Sequence, residues 1–189
     1  MIEIRMHGRG GQGAAIACKI LALAVFKEGR YAQSFPAFGV ERRGAPVIAF
    51  TRIDDKPIQL RCEIYEPDHI VVLDPTLILS TNVIGGLKEG GTVLINSNLP
   101  ESFFKIPDKF KVKCVDANSI AVKYGLGSKA IPIVNTAILG AFARYTNVIT
   151  LDKLAEAIAE TVPAKTKENV EAVKESYYVL DEILNKVGT

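Results

Sequence analysis

The chain has 189 residues, 48% of them apolar, enough for one domain with a real core. Its formal net charge is only +2, with lysine and arginine spread along the chain, which argues against a nucleic-acid partner that would need a clustered basic face. Three well-separated cysteines, Cys18, Cys62 and Cys114, form no CxxC; they exclude an iron–sulfur or zinc cluster held by this chain alone and fit a reducing compartment.

The chain begins directly with a strand pattern over residues 2–6, so no signal peptide is read there, and no apolar run approaches the ~20 residues that span a bilayer. The expectation is a cytoplasmic protein with no membrane contact. Residues 11–27 carry a broad apolar face and predict a helix, with Gly29 as its C-cap. Residues 31–35 read as a second strand, and 36–46 as a loop rich in glycine, proline and charge. Residues 47–53 and 58–64 are strand-like around the turn Asp54-Asp55-Lys56-Pro57, which predicts a hairpin and hence an antiparallel part of the sheet.

Residues 69–73 form a short apolar strand of the kind buried on both faces. A helix is predicted over 76–88, a strand over 92–95, a strand over 111–115 and a short helix over 119–124. Residues 135–145 are apolar all round and read as buried. Thr150 is placed to cap a helix over 151–161, and Pro163 opens a long amphipathic helix to about residue 186. Residues 1–189 thus predict one α/β domain: a Rossmann-like, three-layer open sheet, mostly parallel with an antiparallel portion, and helices on both faces. In such a sheet the ligand crevice lies at the carboxyl ends of the strands, where Gly8–Gly13, Asp74, Asn96 and Asp116 are predicted to fall.

The Gly8-x-Gly10-x-x-Gly13 spacing at a strand-to-helix junction is that of a dinucleotide fingerprint. Glycines let backbone approach a pyrophosphate, and the free amides of a helix N-terminus favour negative charge. Gly8, Arg9, Gly10, Gly11, Gln12 and Gly13 are therefore candidate ligand residues, with Gln12 adding an amide donor and Arg9 a charged one. The competing reading is a tight turn that only permits helix–strand packing. Specificity for NAD is poorly supported: the second strand ends Ser34-Phe35-Pro36-Ala37-Phe38 without a ribose-binding acid, and Glu28 precedes that strand.

Phe38, Glu41, Arg42 and Arg43 form a second candidate group. Two adjacent arginines beside a glutamate, flanked by Phe35 and Pro46, fit a subunit interface or an anionic ligand better than a solvated charge run. Asn135 stands where a helix N-cap belongs, and with Thr136 it is also placed to face the crevice. His7 and His69 read as structural strand residues and Cys18 as a small buried hydrophobe. No Ser/His/Asp or Cys/His pattern supports nucleophilic or metal catalysis.

The segments Gly8-Arg9-Gly10-Gly11-Gln12-Gly13 and Ser34-Phe35-Pro36-Ala37-Phe38-Gly39-Val40-Glu41-Arg42-Arg43-Gly44-Ala45-Pro46-Val47 resemble the gamma subunits of the pyruvate (2-oxoacid):ferredoxin oxidoreductases. Further matches are Arg52-Ile53-Asp54-Asp55-Lys56-Pro57-Ile58, Val71-Val72-Leu73-Asp74-Pro75-Thr76-Leu77, Asn135-Thr136-Ala137-Ile138-Leu139-Gly140-Ala141 and Asn169-Val170-Glu171-Ala172. The resemblance covers nearly the whole chain. Ser176-Tyr177 stands where the family often has Gly-Tyr, a departure confined to the last helix.

The resemblance implies a subunit of an assembly that interconverts pyruvate, coenzyme A and oxidised ferredoxin with acetyl-CoA, carbon dioxide and reduced ferredoxin. It implies that thiamine diphosphate, Mg and [4Fe–4S] clusters belong to the partner alpha, beta and delta subunits. The gamma chain would hold no tightly bound cofactor and no catalytic residue, contribute to coenzyme A binding, and dock to its partners. Two other readings stay open on the residues themselves: an autonomous NAD(P)-binding oxidoreductase domain, or a scaffold subunit that binds nothing.

Overall fold

The structure is a computed structural model that describes residues 1–37 and 43–187. In chain order its strands are β1 (Ile2–Arg9), β2 (Tyr31–Pro36), β3 (Pro46–Asp54), β4 (His69–Val72), β5 (Thr92–Asn96) and β6 (Lys111–Val115). Its helices are α1 (Ala14–Lys27), α2 (Thr76–Ser80), α3 (Ala117–Lys123), α4 (Ala137–Thr146), α5 (Leu151–Thr161) and α6 (Thr166–Val187). The strands form one sheet in the order β2-β3-β1-β4-β5-β6. β1, β4, β5 and β6 pair in parallel, while β3 runs antiparallel to both β1 and β2. The α/β sheet, mostly parallel with an antiparallel portion, is the expected one.

The antiparallel partner is not. Residues 58–64 form no strand, because β1 and β2 occupy both edges of β3. The segment instead passes over the sheet, held by Arg52. This side chain is only 1% exposed; its Nε donates to Glu3 Oε1 at 2.8 Å, its Nη1 to the Cys62 carbonyl at 2.8 Å and its Nη2 to the Glu63 carbonyl at 3.2 Å.

Period-two alternation along the strands separates two cores. Ile4, Met6, Val71 and Leu94 face a helical layer of α1 and α3–α6. Ile70, Val72, Val93 and Ile95 face a thinner layer, where Leu77, Val83, Phe104 and Phe110 pack. The predicted helix over 76–88 stops at Ser80, and Thr81 turns to an extended backbone (φ −140°, ψ 155°). Arg5 holds the continuation as turns, donating from Nη2 to the carbonyls of Val83 at 2.9 Å and Gly85 at 2.5 Å. A buried guanidinium that takes two carbonyls competes directly with helical pairing of that segment.

On the thick side, α4 is buried along Ala137–Ala143, as its all-round apolar sequence predicts. It packs against α6 at Gly140, where a Cβ would collide with the Val173 carbonyl and Ser176 Oγ. Ser176 Oγ accepts from the Ala141 amide, and its single proton is shared between the Ala137 and Val173 carbonyls, both within hydrogen-bond range. The serine at the family's Gly-Tyr position therefore cross-links α4 to α6, and α6 runs through it unbroken. Thr150 occupies the cap position of α5 without a side-chain cap bond. Its amide and hydroxyl both donate to Glu28 Oε1, at 2.9 and 2.7 Å.

Candidate functional site

The parallel strands bring their carboxyl ends to one edge, where the glycine segment lies. β1 does not end at Met6 as predicted: it continues through Gly8 and Arg9, which pair with Val47 and Pro46 of β3. The turn proper is therefore Gly10–Gly13. Gly10 donates its amide to the Ala45 carbonyl at 2.9 Å and accepts from the Gly44 amide at 3.0 Å, and it bridges Arg43. The two segments that stand apart in the sequence are thus zipped into one ridge. Arg43 is exposed on that ridge. Phe38, Glu41 and Arg42, the other proposed interface residues, lie outside the described residues.

Gly13 sits at the N-cap of α1 in the left-handed region (φ 81°, ψ 29°). The first helical bond runs from the Ala17 amide to the Gly13 carbonyl, so the amides of Ala14, Ala15 and Ile16 have no intrahelical acceptor. The first turn of α1 carries no acidic residue, which leaves its positive end uncompensated. Asn135 rests on Gly13: a Cβ there would lie 2.5 Å from Asn135 Nδ2. Asn135 is 5% exposed. Its Oδ1 accepts from the Thr136 amide at 2.9 Å, while Nδ2 has no hydrogen-bond partner among the described residues.

The expectation that Asn135 caps α4 is corrected by the structure. The cap position is Thr136, in helical backbone and without a side-chain cap bond. Thr136 is 1% exposed, and its hydroxyl donates to Asn169 Oδ1 on α6 at 2.6 Å. It ties α4 to α6, and its hydroxyl is not free for a ligand.

Arg9 and Gln12, read as ligand donors, are engaged inside the protein. Arg9 Nε donates to Asp74 Oδ2 at 2.9 Å, Nη1 to the Gly44 carbonyl at 3.1 Å and Nη2 to Thr76 Oγ1 at 2.8 Å. Gln12 Oε1 accepts from the Arg9 amide at 2.7 Å, and its Nε2 reaches Asp74 Oδ2 at 3.4 Å. Asp74 Oδ1 accepts from the amide and hydroxyl of Thr76, at 3.0 and 2.6 Å. Burial pushes the Asp74 carboxyl up, but the Thr76 bonds and the Arg9 guanidinium outweigh it and hold it below the usual carboxylate range. This cluster fills the gap between the ends of β1 and β4, the switch point of the sheet where a dinucleotide would lie. The sequence reading placed Asp74 at the crevice but missed its pairing with Arg9.

Glu28 is no ribose acid either: it lies at the C-terminal end of α1, away from the glycine turn, and holds Thr150. His7 is buried, accepts from Arg5 Nε at 3.0 Å, and is pushed down to about 3 by burial and then by the Arg5 charge. His69 Nδ1 lies 2.8 Å from Thr92 Oγ1. Cys18 is fully buried, which pushes its thiol up to about 12. Among the described residues no group of His, Cys, Asp and Glu is arranged to hold a metal ion. No described helix is long and apolar enough to cross a membrane.

Residues 3–179 match the family model for pyruvate ferredoxin/flavodoxin oxidoreductase. The chain is 53% identical over 183 residues to the pyruvate/ketoisovalerate oxidoreductases common subunit gamma of Thermococcus kodakarensis, covering 94% of this chain and 96% of that one. It is 49% identical, over the full length of both, to the pyruvate synthase subunit PorC of Methanocaldococcus jannaschii. The crystal structure of the pyruvate oxidoreductase subunit PORC of Thermotoga maritima superimposes with a TM-score of 0.80 at 35% identity, over 94% of this chain and 95% of that one. A 2-oxoglutarate:ferredoxin oxidoreductase of Magnetococcus marinus, solved with 2-oxoglutarate, coenzyme A and succinyl-CoA bound, shares the fold at 18% identity and a TM-score of 0.75, over 96% of this chain and 31% of that longer one. The chain belongs to the pyruvate ferredoxin/flavodoxin oxidoreductase family, as the gamma subunit of a 2-oxoacid:ferredoxin oxidoreductase complex.

Proposed function

We propose that this gamma subunit forms one wall of a coenzyme A site, with partner subunits forming the other. The ridge of Gly10–Gly13 and Arg43–Ala45 leads into the positive end of α1, whose first-turn amides lack an intrahelical acceptor and suit a pyrophosphate, and Asn135 Nδ2 adds a donor beside Gly13. Arg9, Gln12 and Thr136 support that wall: Arg9 and Gln12 fix the turn, and Thr136 anchors α4 behind Asn135. The observation that carries the reading is Asn135 Nδ2, which has no hydrogen-bond partner among the described residues, beside the uncompensated helix end.

In this reading pyruvate is the 2-oxoacid. Thiamine diphosphate, Mg and the [4Fe–4S] clusters reside on the alpha, beta and delta partners, which pass electrons to ferredoxin in the cytoplasm. Phe38, Glu41, Arg42 and Arg43 dock to those partners. Coenzyme A bound to the Magnetococcus relative supports the ligand class. The alternative of an autonomous NAD(P) domain is disfavoured by the Arg9–Asp74 cluster at the switch point and by the absence of an acid where β2 ends in Phe35-Pro36.

Calorimetric titration of the assembled complex with coenzyme A and with NADH tests the reading. Coenzyme A should bind and NADH should not. NADH binding without coenzyme A binding would overturn it in favour of the nucleotide domain, and silence for both would leave the scaffold role.

A further inference from the structure

A second feature of the surface adjoins the coenzyme wall, whose Asn135 and Thr136 also line one of its grooves. Between α3 and α4 the chain doubles back in a tight hairpin in which Gly127 bridges Pro132. The Ser128 amide donates to the Ile131 carbonyl at 3.1 Å, the Ile131 amide to the Ser128 carbonyl at 3.2 Å, and the Ile133 amide to the Leu126 carbonyl at 3.0 Å. The hairpin holds Ile131 and Ile133 out to solvent, 58% and 45% exposed.

A groove runs on each side. One, of about 580 Å³, is walled by Ile16, itself 50% exposed, with Ile133, Val162 and Pro163. The other, of about 660 Å³, is lined by Val122, Ala130 and Pro132. Ile16, Ile131 and Ile133 thus gather exposed apolar surface around the hairpin.

Its charge is one-sided. Lys19 and Lys165 line the first groove and Lys123 and Lys129 the second, and no acidic residue lines either. Lys123 is paired with Glu175 and Lys165 donates to the Gly125 carbonyl, whereas Lys19 and Lys129 are exposed and make no ion pair among the described residues.

We propose that this hairpin and its two grooves dock a partner subunit of the complex through an acidic segment that also carries apolar side chains. The apolar side chains seat against Ile16, Ile131 and Ile133, and the carboxylates meet Lys19 and Lys129. Complementary charge at the rim and apolar contact at the centre is the general anatomy of such interfaces. The hairpin's own hydrogen bonds preform the ridge, so little conformational freedom is lost on docking. A second copy of this chain would set lysines against lysines, and a nucleic acid would leave the isoleucines unmatched.

The test uses the intact complex, with a photo-reactive phenylalanine introduced at position 131. The expected product is a cross-link to an acidic peptide of another subunit. In parallel, Ile131→Asp with Ile133→Asp, and separately Lys19→Glu with Lys129→Glu, should each weaken retention of this subunit by about tenfold or more, the lysine pair with a reduced dependence on salt. A cross-link to a second copy of this chain, to a basic peptide or to solvent only overturns the proposal. So does unchanged retention of both double variants.

Discussion

At the residue scale, two glycines of the turn separate backbone strain from site chemistry. Gly11 (φ 98°) and Gly13 (φ 81°) both lie in the left-handed region, but a Cβ on Gly11 meets nothing within 4 Å, whereas one on Gly13 runs into Asn135. Gly11→Ala should cost about 1–2 kcal/mol of stability from strain alone, with coenzyme binding intact. Gly13→Ala should add displacement of Asn135 and weaken coenzyme A binding about tenfold or more in a titration of the complex. Equal affinities in the two variants would remove Asn135 from the site. The Gly8-x-Gly10-x-x-Gly13 spacing made the turn legible in the sequence, but not the partners of its side chains. Arg9 meets Asp74, and Gly13 meets Asn135, only after β1, β4 and α4 converge on one edge.

At the element scale, local patterning served best where hydrophobic period and neighbours agree. The strands over 69–73, 92–95 and 111–115, and the all-apolar α4, appear within a residue or two of their predicted bounds. It failed over 58–64 and 81–88. In both places a buried arginine from the sheet, Arg52 or Arg5, takes carbonyls that a strand or helix would otherwise use. Those arginines alternate with apolar residues, as in Ile4-Arg5-Met6, which reads as an ordinary solvated strand face. Only the tertiary cover makes it an interior one. The contact between α4 and α6 offers the sharpest test at this scale. Gly140→Ala should destabilise by about 3 kcal/mol in chemical denaturation, because the Val173 carbonyl is backbone and cannot swing aside. Ser176→Ala should cost about 1 kcal/mol through its lost hydrogen bonds and should not rescue Gly140→Ala. Rescue would mean that the serine side chain alone sets the helix spacing.

At the scale of the whole molecule, burial of His7 links stability to pH. Its folded pKa is lowered to about 3 by burial and by Arg5, against about 6.5 in the unfolded chain. Between those values the unfolded state binds the extra proton, so stability falls on acidification, by about 1.4 kcal/mol per pH unit within the window. His69, also lowered, chiefly by burial, acts in the same direction. Asp74, held below its usual range, contributes stability that is lost only as pH falls through its lower folded pKa. Denaturation of His7→Gln across this range should show a flatter slope; an unchanged slope would mean that His7 titrates normally in the folded chain.

The sequence by itself determined the α/β class, the parallel strands, the glycine turn and the family, because these rest on local hydrophobic period, turn chemistry and motif order. The tertiary structure alone decided that the two opening segments are one ridge, that the switch point is filled by an Arg9–Asp74 pair, and that Asn135 completes the turn. The reason is physical: these are contacts between side chains and backbone far apart in the chain, and hydrogen-bond partners become defined only when a shared edge brings them within about 3 Å.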